Sequence, residues 1–191
     1  MDDKQILQGI QNGDETAFRE LVENYQDMVI NVCNRFVHSR EDALDISQEV
    51  FIKAYRSVDQ FRGQARLSTW LYRIAVNKSL NFLRDKKRKN IFNSLDLLFD
   101  RQKDNPADTM KDNDSDVAEK MENNEKVDIL YQALENLPKK QRVAVTLNKL
   151  EELSYKEVAE IMDISVSETG VLINRGKKAL QKKMAARMSK A

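Results

Sequence analysis

The chain has little of what most protein chemistry requires. It holds one cysteine, one histidine, one tryptophan, two prolines and five glycines in 191 residues. The single Cys33 cannot close an internal disulfide, and it suits a reducing compartment. Its neighbours Val32 and Phe36 make it an inert buried thiol. His38 has no second histidine to complete a site, so no metal or other cofactor is expected. No glycine-rich phosphate loop is present, and plentiful carboxylates alone make no catalytic constellation, so an enzyme is not expected. No apolar run reaches membrane length and no signal peptide is visible, which points to a cytoplasmic chain without membrane insertion. Charge of one sign is also missing overall: 33% of residues are charged, yet the net charge is +1.

Neutrality hides an uneven distribution. Residues 62–89 hold nine Lys/Arg against one acid, and residues 175–190 hold seven Lys/Arg and none. Residues 96–128 hold eleven Asp/Glu against five Lys/Arg. Two basic patches separated by an acidic segment imply two nucleic-acid contacts and a spacer that avoids the polyanion.

The most informative stretch runs from Ala65 to Lys89. It lacks Gly and Pro, opens with Ser68-Thr69 as a capping pair and ends in a basic run, so most of it reads as one helix. At about 100° per residue, Leu67, Leu71, Ile74, Ala75 and Phe82 share one side. Arg66, Arg73, Asn77, Asn81, Arg84 and Arg88 form a stripe on another, with Trp70 at its border. Guanidinium groups pair with phosphates, amides read base edges and an indole can stack on a base. Taken alone, the stripe is equally a solvated face with Trp70 in the core.

The string Thr69-Trp70-Leu71-Tyr72-Arg73-Ile74-Ala75-Val76-Asn77, followed by Leu83-Arg84, resembles the −10-reading region of bacterial sigma factors of the extracytoplasmic-function (ECF) group. The likeness covers both ends of the chain and leaves out the middle. One departure is Asn81, where the family often has Asp; a hydrogen-bonding group stays and a charge facing DNA is lost.

From the start, Asp2–Asn12 reads as a short helix, and Asn12-Gly13-Asp14 is a break. Asp14 or Thr16 caps a second helix that keeps its apolar period to Val37. His38 ends it as a surface group compatible with the helix dipole. Ser39 caps a third helix, with Ala43, Leu44, Val50, Phe51, Ala54, Tyr55 and Val58 as its apolar arc. Opposite lies a polar stripe of Asp45, Gln48, Glu49, Ile52 and Arg56, with Lys53 nearby. By resemblance, Asp45, Gln48, Glu49, Ile52 and Lys53 dock on the clamp helices of the RNA polymerase β′ subunit; without it, they are an ordinary acidic helix face. The loop around Gly63 resembles the one that holds a base flipped out of the −10 element. Phe61, Arg62, Gln64 and Arg66 supply the aromatic and the donors for such a pocket, which must return the few kcal/mol that unstacking costs. Lys87 and Arg88 join Arg84 on phosphates.

Residues 93–125 are acidic, Asp/Asn-rich and lose the apolar period beyond Leu95–Phe99, so they read as a flexible linker. Helical patterning returns with Val127, Leu130, Tyr131, Leu134 and Leu137 and stops at Pro138. Two apparent capping boxes, Ser154…Glu157 and Ser165…Glu168, open the two helices of a helix-turn-helix, with Asp163 at the turn. Leu137-Pro138, Gln141-Arg142 and Ser154-Tyr155-x-Glu157-Val158-Ala159 resemble sigma region 4, the −35 reader. The groove-facing positions would be Ser165, Ser167, Gly170, Val171 and Asn174, followed by Arg175, Lys177 and Lys178 on phosphates. Relatives often carry Lys or Arg at the base-facing positions; this chain has none. Gly170 and Gly176 also cost the helix about 1 kcal/mol each relative to Ala.

The expected fold is all-α, with two small helical domains: residues 1–92 as sigma region 2, residues 93–125 as linker and residues 126–191 as sigma region 4. The expected function is that of an alternative sigma factor. Its partners would be core RNA polymerase (β′ clamp helices and β flap), promoter DNA and an anti-sigma factor or other recruiting protein. Two alternatives stay open. One is a helix-turn-helix regulator that does not bind polymerase. The other is a sigma factor brought to promoters by a separate sequence-specific protein, whether a conventional activator or an RNA-guided one.

Overall fold

The computed structural model of the chain describes residues 1–61, 63, 65–99, 127 and 129–188, with side chains placed except at 91–99 and 186–188. Among these residues no strand forms. Helix α1 (Asp3–Gln11) starts at a full capping box made by Asp2 and Gln5. Helix α2 (Glu15–Val37) is capped by Asp14, whose carboxylate accepts from the Thr16 N–H at 2.8 Å. Helix α3 (Arg40–Ser57) starts at Ser39, whose hydroxyl accepts from the Asp42 N–H at 3.2 Å. A single 3-10 turn, Val58–Gln60, leads to the loop before α4 (Leu67–Phe99). The Ser68-Thr69 pair lies inside the first turn of α4 and does not cap it. The Arg66 carbonyl instead accepts from the Trp70 N–H at 3.2 Å. Helix α4 also runs past residue 92, the expected end of the first domain.

In the second half, α5 covers residues 129–135. Pro138 precedes α6 (Lys139–Val145), where a missing N–H costs nothing because the first helical donors have no partners anyway. A π turn, Thr146–Leu150, follows, then α7 (Tyr155–Met162) and α8 (Val166–Met188). Ser154 and Glu157 complete a reciprocal box. At α8 only half of the expected box forms. Ser165 accepts from the Glu168 N–H at 3.0 Å, but the Glu168 carboxylate turns to Lys140 at 3.3 Å. Asp163 adopts the left-handed conformation at the turn (φ 55°), which Asp tolerates better than most residues.

Ile6, Leu21, Val32, Phe36, Val50, Leu67 and Leu71 are buried at the centre of α1–α4. Each such side chain contributes about 1.5–3 kcal/mol by leaving water. In α3 the buried set is Ala43, Ile46, Val50, Phe51 and Ala54, while Leu44 and Tyr55 are exposed. Ile46 shares a face with Ala43 and Val50 at helical spacing, and the expected arc was set too far round.

The two halves do not stand apart. Ala144, Leu147, Val158, Ile161 and Ile173 belong to the same continuous apolar cluster as Phe36 and Leu71. A smaller cluster of Leu134, Leu137, Val145 and Leu180 is confined to the second half. Gly176 permits a close crossing of α6 and α8: a Cβ there would lie 2.5 Å from Val145 Cγ2. Its helix-propensity cost is therefore tied to packing.

Candidate nucleic-acid interface

On α3, Asp45, Gln48, Glu49, Ile52 and Lys53 are all exposed on one surface, as their spacing requires. The surface is more apolar than the sequence suggested, since Leu44 and Tyr55 are exposed beside it. Two ion pairs tie α3 to α4: Lys78 to Glu49 at 2.7 Å and Lys86 to Asp42 at 2.9 Å. Glu49 is thus paired, while Asp45 makes no ion pair among the described residues.

Ahead of α4, the Phe61 and Trp70 rings lie 5.0 Å apart at 46°, and both are half-buried. They pack on each other, so each is available to a base on one side at most. Gly63 has φ +68°, a conformation that favours glycine. Arg62 and Gln64 lie outside the described residues. Along α4, Arg66, Asn77, Asn81, Arg84, Lys87 and Arg88 are exposed. Arg84 spends part of its charge on Asp85 at 3.1 Å.

Arg73 differs from the rest of its stripe. Its Nη2 donates to the Glu160 carbonyl at 2.6 Å and lies 3.9 Å from the Asp163 carboxylate, both at the end of α7. One cleft beside this contact is lined by Arg66, Arg73, Lys156 and Ser165. A second is lined by Arg73, Asn77, Lys140 and Met162. No local signal could have revealed this arrangement, because Arg73 and Glu160 are 87 residues apart.

Ser165 at the cap of α8, and Ser167, Val171, Asn174, Arg175, Lys177 and Lys178 on it, are exposed. Gly170 is half-buried; a Cβ there would lie 3.6 Å from Tyr155 Cε2. Tyr155 therefore borders the position of Gly170, at ordinary contact distance for any side chain placed there. Val166 and Val171 are 50% and 45% exposed, so much of this face is apolar and uncharged.

His38 is not a surface group. Both ring nitrogens are buried without a partner, and the ring packs against Tyr131, tilted by 31°. Burial first, then the charge of Arg142, lower its pKa from 6.5 to about 4. Near it, Arg35 pairs with Glu151 at 3.1 Å. Burial raises the Glu151 carboxyl, while Arg35 and Tyr72 act in the opposite direction. Among the described residues no helix is long and apolar enough to cross a membrane.

Comparison with known proteins fits this layout. Residues 21–89 match the Sigma-70 region 2 family, and residues 128–180 match Sigma-70, region 4. The chain is 38% identical over 182 residues to the ECF RNA polymerase sigma-E factor of Haemophilus influenzae, covering 95% of both chains. Its fold is similar to CnrH, solved in complex with the cytosolic domain of CnrY. The TM-score is 0.66 at 18% identity, over 96% of this chain and 97% of that one. It is also similar to the sigma factor RpoE of Bartonella quintana, solved in complex with the anti-sigma factor NepR. There the TM-score is 0.56 at 17% identity, over 88% and 96% of the two chains. With both sigma regions matched and a relative aligned over nearly its full length, the chain belongs to the ECF RNA polymerase sigma factors.

Proposed function

We propose that this sigma factor docks on core polymerase through Asp45, Gln48, Glu49, Ile52 and Lys53 of α3. The supporting observation is their joint exposure on one surface next to Leu44 and Tyr55. A mixed polar and apolar patch is what a protein partner buries; DNA would not select its acids. The −10 element is read by Phe61, Arg62, Gln64, Arg66, Trp70, Arg73, Asn77 and Asn81, with Arg84, Lys87 and Arg88 on phosphates. The −35 element is approached through Ser165 to Lys178 of α8. Residues 1–92, 93–125 and 126–191 act as promoter-opening domain, linker and −35 domain.

The chain performs no catalysis of its own, since polymerase makes the bonds, and it works where polymerase and chromosome are, in the cytoplasm. The β flap is the second polymerase contact, through region 4. An anti-sigma factor, such as the one that accompanies the Bartonella protein, is a fitting regulator. Because α8 offers no Lys or Arg from Ser165 to Asn174, promoter choice rests mainly on the −10 contacts or on a recruiting protein.

Transcription with purified core polymerase tests this. Addition of the chain should yield a discrete start site from a promoter of its own genome. DNA binding without retention of core polymerase in a pull-down would favour the helix-turn-helix regulator instead.

A further inference from the structure

We infer that Val171 sets the sequence preference of α8 by packing on the C5-methyl group of a thymine. The −35 element then carries a thymine facing Val171 and, one base step away, an adenine facing Asn174. This rests on the proposal that α8 approaches the −35 element. Thr169, Ile173, Gly176 and Leu180 are buried on one side of α8. At about 100° per residue, Val171 lies nearly opposite them, at the middle of the outward face. Its neighbours one turn away, Ser167, Asn174 and Arg175, are exposed as well. The centre of this face is therefore a valine, and it is 45% exposed.

The chemistry of the major groove narrows what such a side chain can select. Each base edge there presents donors or acceptors, and thymine alone adds an apolar group. Valine has neither donor nor acceptor, so against guanine, cytosine or adenine it only strips water from polar atoms. Against thymine it buries a methyl group. The apolar surface continues toward α7. The Tyr155 ring comes within 3.6 Å of where a Cβ at Gly170 would lie, and Val166, one turn before Gly170, is 50% exposed. Gly170 itself adds no side chain, which lets the helix backbone come close to the base edges. Asn174 follows Val171 by about 4.5 Å along the helix axis, near the roughly 3.4 Å between base pairs. Its amide pairs bidentately with adenine. Arg175 and Lys178, exposed on the same face, attract DNA to it.

The test uses the full chain with core polymerase, on a promoter located by its mapped start site. Each thymine of the −35 region, on either strand, is replaced in turn by 2′-deoxyuridine, which removes only the methyl group. One replacement should weaken binding by about two- to fourfold, the effect of losing one buried methyl-sized group. In Val171→Ser the same replacement should have no effect, whereas Val171→Ile should keep it. Circular dichroism checks that both variants stay helical. Arg175→Glu with Lys178→Glu reads separately whether α8 touches the −35 region: it should weaken binding to the whole promoter and not to one cut off downstream of −35.

If no uridine weakens binding, yet Arg175→Glu with Lys178→Glu does, methyl readout is overturned and the −35 assignment stands. If neither has an effect, the −35 assignment fails, and methyl readout with it. If a uridine weakens binding equally in the original chain and in Val171→Ser, another group reads the methyl and the proposal falls.

Discussion

The guanidinium of Arg142 donates to the main-chain carbonyl of Phe36 across 2.8 Å. Phe36 lies in the last turn of α2, where helix carbonyls lack partners in the helix itself. Arg142 thus satisfies an orphan acceptor and places positive charge at the negative end of the helix dipole. His38, two residues on, packs against Tyr131 and is kept neutral by burial and by this same cation.

That neighbourhood predicts a pH dependence. The His38 pKa is lowered to about 4 in the fold from an ordinary 6.5. The unfolded chain therefore binds the proton first, and stability falls as pH drops from about 6.5 toward 4. The stabilisation is fully present above that window. His38→Asn, which tolerates the left-handed backbone at this position (φ 56°), should flatten the dependence. Urea unfolding at pH 7.5 and 5 checks this; equal losses in wild type and variant would count against it.

On the proposed polymerase face, Asp45→Arg with Glu49→Arg should abolish binding to core enzyme. The fold should survive, since Glu49 is exposed and a surface ion pair such as Lys78–Glu49 contributes about 0–1 kcal/mol. Asp45→Arg alone, which breaks no ion pair, should weaken binding by itself. Unchanged affinity in a quantitative core-binding assay would remove the docking assignment.

Asn77→Ala should lower promoter opening more than overall DNA affinity. An amide that reads a base discriminates by about 1–3 kcal/mol, whereas the arginines and lysines proposed for the phosphates would supply most of the binding. Permanganate reactivity of the −10 region should drop in the variant, and normal melting would refute the role.

The recognition helix predicts tolerance at −35. With Ser167, Val171 and Asn174 exposed and no side chain at Gly170, Asn174 is the one of these four that can make a bidentate base contact. Scrambling the −35 sequence at constant spacing should reduce transcription no more than about tenfold, the lower part of the range that one base contact discriminates. Binding should fall steeply with salt if, as proposed, Arg175, Lys177 and Lys178 carry it. A hundredfold loss on scrambling would mean that α8 reads bases by other contacts.

Gly176→Ala should destabilise the protein although alanine is the better helix former. The gain of about 1 kcal/mol in propensity is outweighed by overpacking against Val145, a stiff β-branched side chain in the core. A lower melting temperature is the expected result, and a higher one would show that α6 and α8 can part freely.

The chain's own order of residues determined its helices and most of its surfaces. Asp2, Asp14, Ser39 and Ser154 carry local start signals, and each caps the helix that follows. Asp45, Gln48, Glu49 and Ile52 face one way because a 3.6-residue period requires it. Tertiary packing alone decided what those surfaces meet. Burial of His38, the loss of half the Ser165 box to Lys140 and the capture of Arg73 by α7 all join residues far apart in sequence. Helical period and capping act within a few residues, whereas the apolar sides of α6 and α7 leave water only by packing against the first half. That burial sets which polar groups come to lie at the seam, and no local pattern encodes it.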